Sequence, residues 1–220
     1  MDRKSIAQEY FLLATTDKGT MPAMRQSESN AGLVAAGVMD LLFNDVIAME
    51  KKRITVAGDL PGELGYLSSL YDYLEQKPRS TERLMGDYLF STGSRIKQLT
   101  AELGESLLES GAVTRREGGL FGKKTLYIPE QGAKEALAEA IRSAVAKGTD
   151  MSPHDMVLLC ILRETQNLNP YVSKEENNAW KAVWKEIKRN PQNKQLANMI
   201  HYVSDMTAVI VTMLVTNGMM

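Results

Sequence analysis

Ala31-Gly32-Leu33-Val34-Ala35-Ala36-Gly37-Val38-Met39-Asp40-Leu41-Leu42-Phe43 decides the fold, and Asp40 is its only charged residue. A helix that is apolar on nearly every side is buried on nearly every side. Ala and Gly at positions 31, 32, 35, 36 and 37 leave little side-chain bulk, so neighbouring helices can pack close. This stretch is expected as a central helix wrapped by the rest of the chain.

The flanking segments carry their own signals. Ser5 with Gln8 makes a capping box ahead of Ile6, Tyr10 and Leu13, which predicts a short helix. Residues 15–30 are polar and broken by Asp17-Lys18-Gly19 and Met21-Pro22, and read as a loop. Two β-like runs, 46–49 and 53–56, flank Lys51-Lys52 and predict a small surface hairpin. Leu67, Leu70, Tyr71 and Leu74 recur at helical spacing until Pro78 ends the element. Ser80 can cap a helix through Leu84, Tyr88 and Leu89. Ile96, Leu99, Leu103 and Leu107 line one face of the next, with Gly111 placed for a left-handed cap.

Residues 112–129 break the helical pattern. Strand-like 112–116 and 125–128 enclose a glycine-rich tip from Glu117 to Lys124, a long β-hairpin. Beyond it the pattern is helical again. Ala133, Leu137, Ile141 and Val145 share a face that Gly148 stops. Ser152-Pro153 with Asp155 starts another helix, and Ser173 with Glu176 forms a second capping box before Trp180, Trp184 and Ile187. A final helix is expected from about Gln192 to Thr216. The fold class is therefore mainly α: a single compact multi-helix domain over residues 1–220, with a buried central helix and small β-hairpins.

Composition bounds the function. The chain has 220 residues, 44% hydrophobic and 24% charged, with 26 basic residues against 27 acidic ones and a net charge of −1. That excludes wholesale disorder and a globally basic nucleic-acid surface, though a local basic patch survives the balance. One cysteine, Cys160, allows no intrachain disulfide and points to a reducing compartment. The first residues lack the apolar core of a signal peptide. The apolar run 206–215 is too short and too interrupted to span a bilayer, which needs about 20 residues, so it is expected as a core helix.

Chemistry for catalysis is scarce. His154 and His201 are the only histidines, and His154 is expected as a surface residue in a first helical turn with no special role. No zinc motif occurs, and Cys160 lies in an apolar run that reads as core. Gly118 to Thr125 superficially looks like a phosphate-binding loop, but only three residues separate the relevant glycines and a strand follows instead of a helix. No enzyme and no cofactor are expected.

Charge placement says more. Between Arg79 and Lys124 there are eight basic and six acidic residues, and the hairpin joins Arg115, Arg116, Lys123 and Lys124 to Leu120 and Phe121. An apolar tip flanked by cations suits an anionic membrane, each cation being worth about 1 kcal/mol near the surface. Two other readings stand beside it. Leu120 and Phe121 can pack on the protein body or on a second copy, making a homo-oligomer through the hairpin. A helix followed by a basic hairpin is also the order of a winged helix-turn-helix, but Glu102, Glu105 and Glu109 would repel phosphates, so no nucleic acid is expected.

The order of segments resembles the Golgi phosphoprotein 3 (GPP34) family. Glu9-Tyr10-Phe11-Leu12-Leu13-Ala14 with Asp17-Lys18-Gly19 is similar to its opening helix and turn, and residues 33–43 are similar to its small-residue helix, followed by a strand at 46–50. Leu107-Leu108-Glu109-Ser110-Gly111-Ala112-Val113 is similar to the end of the helix before its hairpin, and the run 206–215 to its last helix. The resemblance implies a non-enzymatic peripheral membrane protein that binds phosphatidylinositol 4-phosphate. In eukaryotes it also implies a place on the cytosolic face of the Golgi and partners among membrane-protein tails and coat components. Some members self-associate through the hairpin. Near the start of the central helix the family carries a tryptophan and an arginine, where this sequence has Arg25 and Val34. Lys97 matches one of a basic pair before the hairpin, and Thr100 stands in place of the other. Arg25, Arg95 and Lys97 are then the expected headgroup contacts, and Arg115, Arg116, Leu120, Phe121, Lys123 and Lys124 the membrane-facing hairpin.

Overall fold

A computed structural model describes residues 3–51, 53–118, 124–189 and 194–216. Helix α1 (Ile6–Ala14) starts at the capping box as expected: Ser5 Oγ accepts the Gln8 amide, and the Gln8 side chain accepts the Ser5 amide. Helix α2 (Gln26–Phe43) is the central helix. Ala31, Leu33, Val34, Ala35, Ala36, Val38 and Met39 are fully buried, because α2 packs on α1 and on three helices from later in the chain. Gly32 and Gly37 are where this closeness is used. A Cβ on Gly32 would lie 2.2 Å from Tyr10 Oη, and one on Gly37 would lie 3.0 Å from Leu70 Cδ2.

Strands β1 (Ile47–Glu50) and β2 (Arg53–Val56) form the first hairpin, turning through Lys51 at positive φ. A short third strand, β3 (Arg79–Ser80), adds to β2 in the register Arg53↔Ser80 and Ile54↔Arg79. Between β2 and β3 lie a 3-10 segment, Gly62–Leu67, and helix α3 (Ser68–Glu75). Helix α4 (Thr81–Leu89) starts at Ser80, whose hydroxyl accepts the Arg83 amide. Helix α5 (Ser94–Glu109) ends at Gly111, which takes φ +69° as its position predicts. Strands β4 (Val113–Gly118) and β5 (Lys124–Pro129) pair antiparallel. Helices α6 (Gln131–Lys147), α7 (Pro153–Glu164), α8 (Lys174–Arg189) and α9 (Lys194–Thr216) complete the chain. Helices α4, α7 and α9 are the later ones packed on α2, and one hydrophobic cluster runs through all of these layers. No helix among the described residues is long and apolar enough to cross a membrane.

Two expectations need correction. The 15–30 loop is too long, because a 3-10 turn, Ala23–Arg25, and the first turn of α2 occupy its second half. That polar turn is stabilised by partners far away in sequence. Tyr10 donates to the Ser29 carbonyl at 3.1 Å, and Asn167 Nδ2 donates to Ser29 Oγ at 3.0 Å. His154 is not an idle surface residue either. Its Nε2 donates to Glu9 Oε2 at 2.8 Å, and Arg3 Nε donates to the other Glu9 oxygen at 3.3 Å while its Nη2 reaches Asp155. Glu9 is buried, and these side chains give both of its carboxylate oxygens a hydrogen-bond partner.

Candidate functional site

The hairpin is seated by one face. Opposed residues on an antiparallel pair share a face, so Val113, Arg115 and Glu117 stand with Pro129, Tyr127 and Thr125. Tyr127 is buried against α5 and Phe11, and its hydroxyl donates to Glu105 Oε1 at 2.7 Å. Burial and that carboxylate push the Tyr127 hydroxyl up to about 12. Arg115 pairs with the same Glu105 oxygen at 3.3 Å, so its charge already has a carboxylate partner.

The other face carries Thr114, Arg116 and Gly118 opposite Ile128, Leu126 and Lys124. Arg116 and Lys124 are exposed there beside half-buried Leu126, and neither makes an ion pair with a described residue. Leu120, Phe121 and Lys123 lie outside the described residues.

Helix α5 separates the remaining predicted cations. Arg95 and Lys97 are two residues apart, about 200° around the helix. Arg95 turns to α3 with Gln98, whereas Lys97 is exposed on the flank where Gly104 later meets Tyr127. Arg95 lines an open cleft of about 160 Å³ between α3, α4 and α5, with Asp72, Tyr73, Gln76, Tyr88 and Gln98. Arg25 and Lys97 are not among its lining residues. Arg25 sits at the entrance to α2, where its charge acts on Tyr10. Of the three expected headgroup cations, Arg95 alone lines this cleft.

The cleft has a built interior. Arg79 lies with its guanidinium carbon 4.3 Å from the Tyr73 ring centre, and Arg95 with its own at 5.1 Å. Tyr73 meets Tyr88 edge to face at 5.6 Å and donates to Asp87 Oδ2 at 2.7 Å, an oxygen that also accepts Arg83 Nε at 2.9 Å. Burial and the Asp87 hydrogen bond push the Tyr73 hydroxyl up to about 12. Reading the sequence gave no sign of this cleft beyond Arg95, since its members come from three helices whose packing is set by apolar faces.

The Golgi phosphoprotein 3 (GPP34) family model matches residues 6–204. The chain belongs to the Golgi phosphoprotein 3 family. No curated protein matches it closely enough to add a relative. Val34, which the resemblance sets against an arginine of the family, is fully buried among neighbouring helices. Thr100 turns its hydroxyl back to the Ile96 carbonyl at 2.6 Å. Among the described residues no cluster of His, Cys, Asp and Glu has the make-up of a metal site, and Cys160 is a buried thiol in α7.

Proposed function

We propose that this Golgi phosphoprotein 3 family member is a peripheral membrane protein that binds anionic phospholipid headgroups. The observation that carries the reading is the hairpin face on which Arg116 and Lys124 stand exposed beside Leu126, with no ion pair to any described residue. Cations free of carboxylate partners keep their full attraction for a negative surface, whereas a cation that must first leave a carboxylate loses part of it. Leu120, Phe121 and Lys123, which lie outside the described residues, are assigned to the membrane as well, the apolar pair to its interface and the lysine to its headgroups. Arg115 adds to steering from the seated side. Arg25, Arg95 and Lys97 are assigned to phosphate contacts. Arg95 and Lys97, on opposite flanks of α5, engage separate headgroups rather than caging one. Phosphatidylinositol 4-phosphate is the lipid the family implies, and the cytosolic face of a membrane is the place. The family is not known as an enzyme family, and the reading assigns no reaction.

Vesicle sedimentation tests this. The protein should partition onto vesicles containing anionic lipid and stay in the supernatant with pure phosphatidylcholine ones, with partitioning weakened by salt. Equal partitioning onto both contradicts the reading. A fall in solution mass from oligomer to monomer on deleting residues 118–124, with vesicle binding unchanged, would make the hairpin a self-association element instead.

A further inference from the structure

The cleft between α3, α4 and α5 contains charges and hydroxyls that its own neighbours do not use. Ser69 Oγ donates to Glu102 Oε2 at 2.6 Å, and Gln98 Nε2 to Glu102 Oε1 at 3.1 Å, so Glu102 is satisfied. Gln76 Oε1 accepts Arg79 Nη2 at 3.2 Å. Asp87 is taken by Tyr73 and Arg83. That leaves the Arg95 guanidinium and the Asp72 carboxylate, both lining the cleft and neither in an ion pair with the other. It also leaves Tyr88. This side chain is fully buried and lines the cleft, and its hydroxyl has no hydrogen-bond partner. A buried hydroxyl without a partner costs about 1–3 kcal/mol and calls for an occupant.

We infer that this cleft binds a small zwitterion carrying a phosphate and an ammonium group, an aminoalkyl phosphate. A plain oxyanion would meet Arg95 but be repelled by Asp72, and a plain amine would meet Asp72 but be repelled by Arg95. A ligand with both charges a few ångströms apart satisfies both. The phosphate lies on Arg95, a guanidinium already oriented by the Tyr73 ring and suited to bidentate oxyanion contact. The ammonium lies on Asp72, and the Tyr88 hydroxyl donates to an oxygen of the ligand. A volume of about 160 Å³ takes such a group without acyl chains. The same chemistry occurs in free aminoalkyl phosphates and in the ethanolamine and serine phospholipid headgroups. In naming phosphate as the oxyanion the inference rests on the membrane reading.

Titration calorimetry of the full chain with O-phosphoethanolamine, inorganic phosphate and ethanolamine separates the alternatives. O-phosphoethanolamine should bind at least about tenfold tighter than either fragment, since both ends contribute. Arg95→Gln and Asp72→Asn should each remove that preference. Tyr88→Phe should weaken binding several-fold without lowering the melting temperature, because the lost hydroxyl has no partner among the described residues. Inorganic phosphate binding as tightly as O-phosphoethanolamine, with Asp72→Asn without effect, overturns the inference, as does no heat from any of the three at millimolar concentration. A second arm identifies the source. Adding phosphatidylethanolamine to neutral phosphatidylcholine vesicles should retain the parent protein and not Asp72→Asn. If retention does not change, the lipid source is overturned and the free phosphate ester is the ligand. Loss of anionic-vesicle binding in the hairpin with O-phosphoethanolamine binding intact marks failure of one reading and not the other.

Discussion

The Tyr127 ring lies so close over Gly104 that a Cβ at position 104 would stand 2.3 Å from ring atom Cδ2. This contact fixes the angle at which the hairpin leaves α5, and with it the direction in which Arg116 and Lys124 face. Gly104→Ala gains helix propensity of about 1 kcal/mol but forces the ring away. Overpacking of this kind costs about 1–3 kcal/mol. The variant should therefore lose up to about 2 kcal/mol in denaturant unfolding, and hydrogen exchange in β4 and β5 should speed up more than in α7. Uniform exchange across the chain would show that this contact does not hold the hairpin.

Tyr10 closes against the central helix in a similar way. Its hydroxyl meets the Ser29 carbonyl, Thr165 Oγ1 at 3.1 Å and Asn167 Nδ2 at 3.1 Å, all buried. Gly32→Ala would drive a methyl into that hydroxyl, and should cost about 3 kcal/mol by thermal unfolding. Tyr10→Phe keeps the ring and loses only the hydrogen bonds, and should cost about 1–2 kcal/mol. The reverse order of severity would show that the network, not the space, is what Gly32 protects.

His154 and Arg3 serve one carboxylate from two sides. Each keeps Glu9 satisfied in the absence of the other, so the loss of either alone should cost about 1–2 kcal/mol, discounted because Arg3 is half exposed. Removing both leaves Glu9 buried and unanswered. The double variant His154→Ala with Arg3→Ala should be destabilised by more than the sum of the singles, and simple additivity in the double-mutant cycle would contradict the shared role.

Asp40 sets a pH dependence of opposite sign to that of Asp87 and Asp155. Burial pushes its carboxyl from 3.8 up to about 6, against the Ala7 and Ile6 amides that hydrogen-bond its two oxygens at 2.9 Å. The folded chain holds this proton more tightly than the unfolded chain. Its contribution is fully present below 3.8 and is lost as pH rises through about 6. Asp155 runs the other way. Burial works against its ionised form, but hydrogen bonds from Arg3 and Ser152 outweigh it and hold its carboxyl below the usual value, so its stabilisation is lost as pH falls. Subtracting the pH profile of Asp40→Asn from that of the parent isolates Asp40. The difference should fall by about 2–3 kcal/mol between the two values, with parent stability decreasing as pH rises. A flat difference would contradict the assignment.

Local chemistry made much of the fold legible. Ser5 with Gln8, Ser80, Gly111, Ser152 and Ser173 with Glu176 each mark a helix end through contacts within a few residues, and all five act there in the structure. The near absence of charge in 31–43 marked the buried helix because burial on all sides needs nothing but composition. What escaped depends on distant partners. The first turn of α2 is polar and was hidden because Tyr10 and Asn167 satisfy it. Strand β3 is two residues long and exists only because β2 is there to pair with it. His154 and Glu9 are 145 residues apart. The candidate site split along the same line. The hairpin and its charges were readable as a run, but the 200° between Arg95 and Lys97, and the cleft that only Arg95 enters, follow from helix phase and packing.

The exposed face of the hairpin is the centre of the account, so the most direct measurement reverses its charge. Arg116→Glu with Lys124→Glu leaves the seated face, Tyr127 and Glu105 untouched. In vesicle sedimentation at low salt, the parent should bind anionic vesicles and the double variant should bind more than about tenfold more weakly, at unchanged melting temperature. Retention of the double variant on anionic vesicles equal to that of the parent would contradict docking through this face.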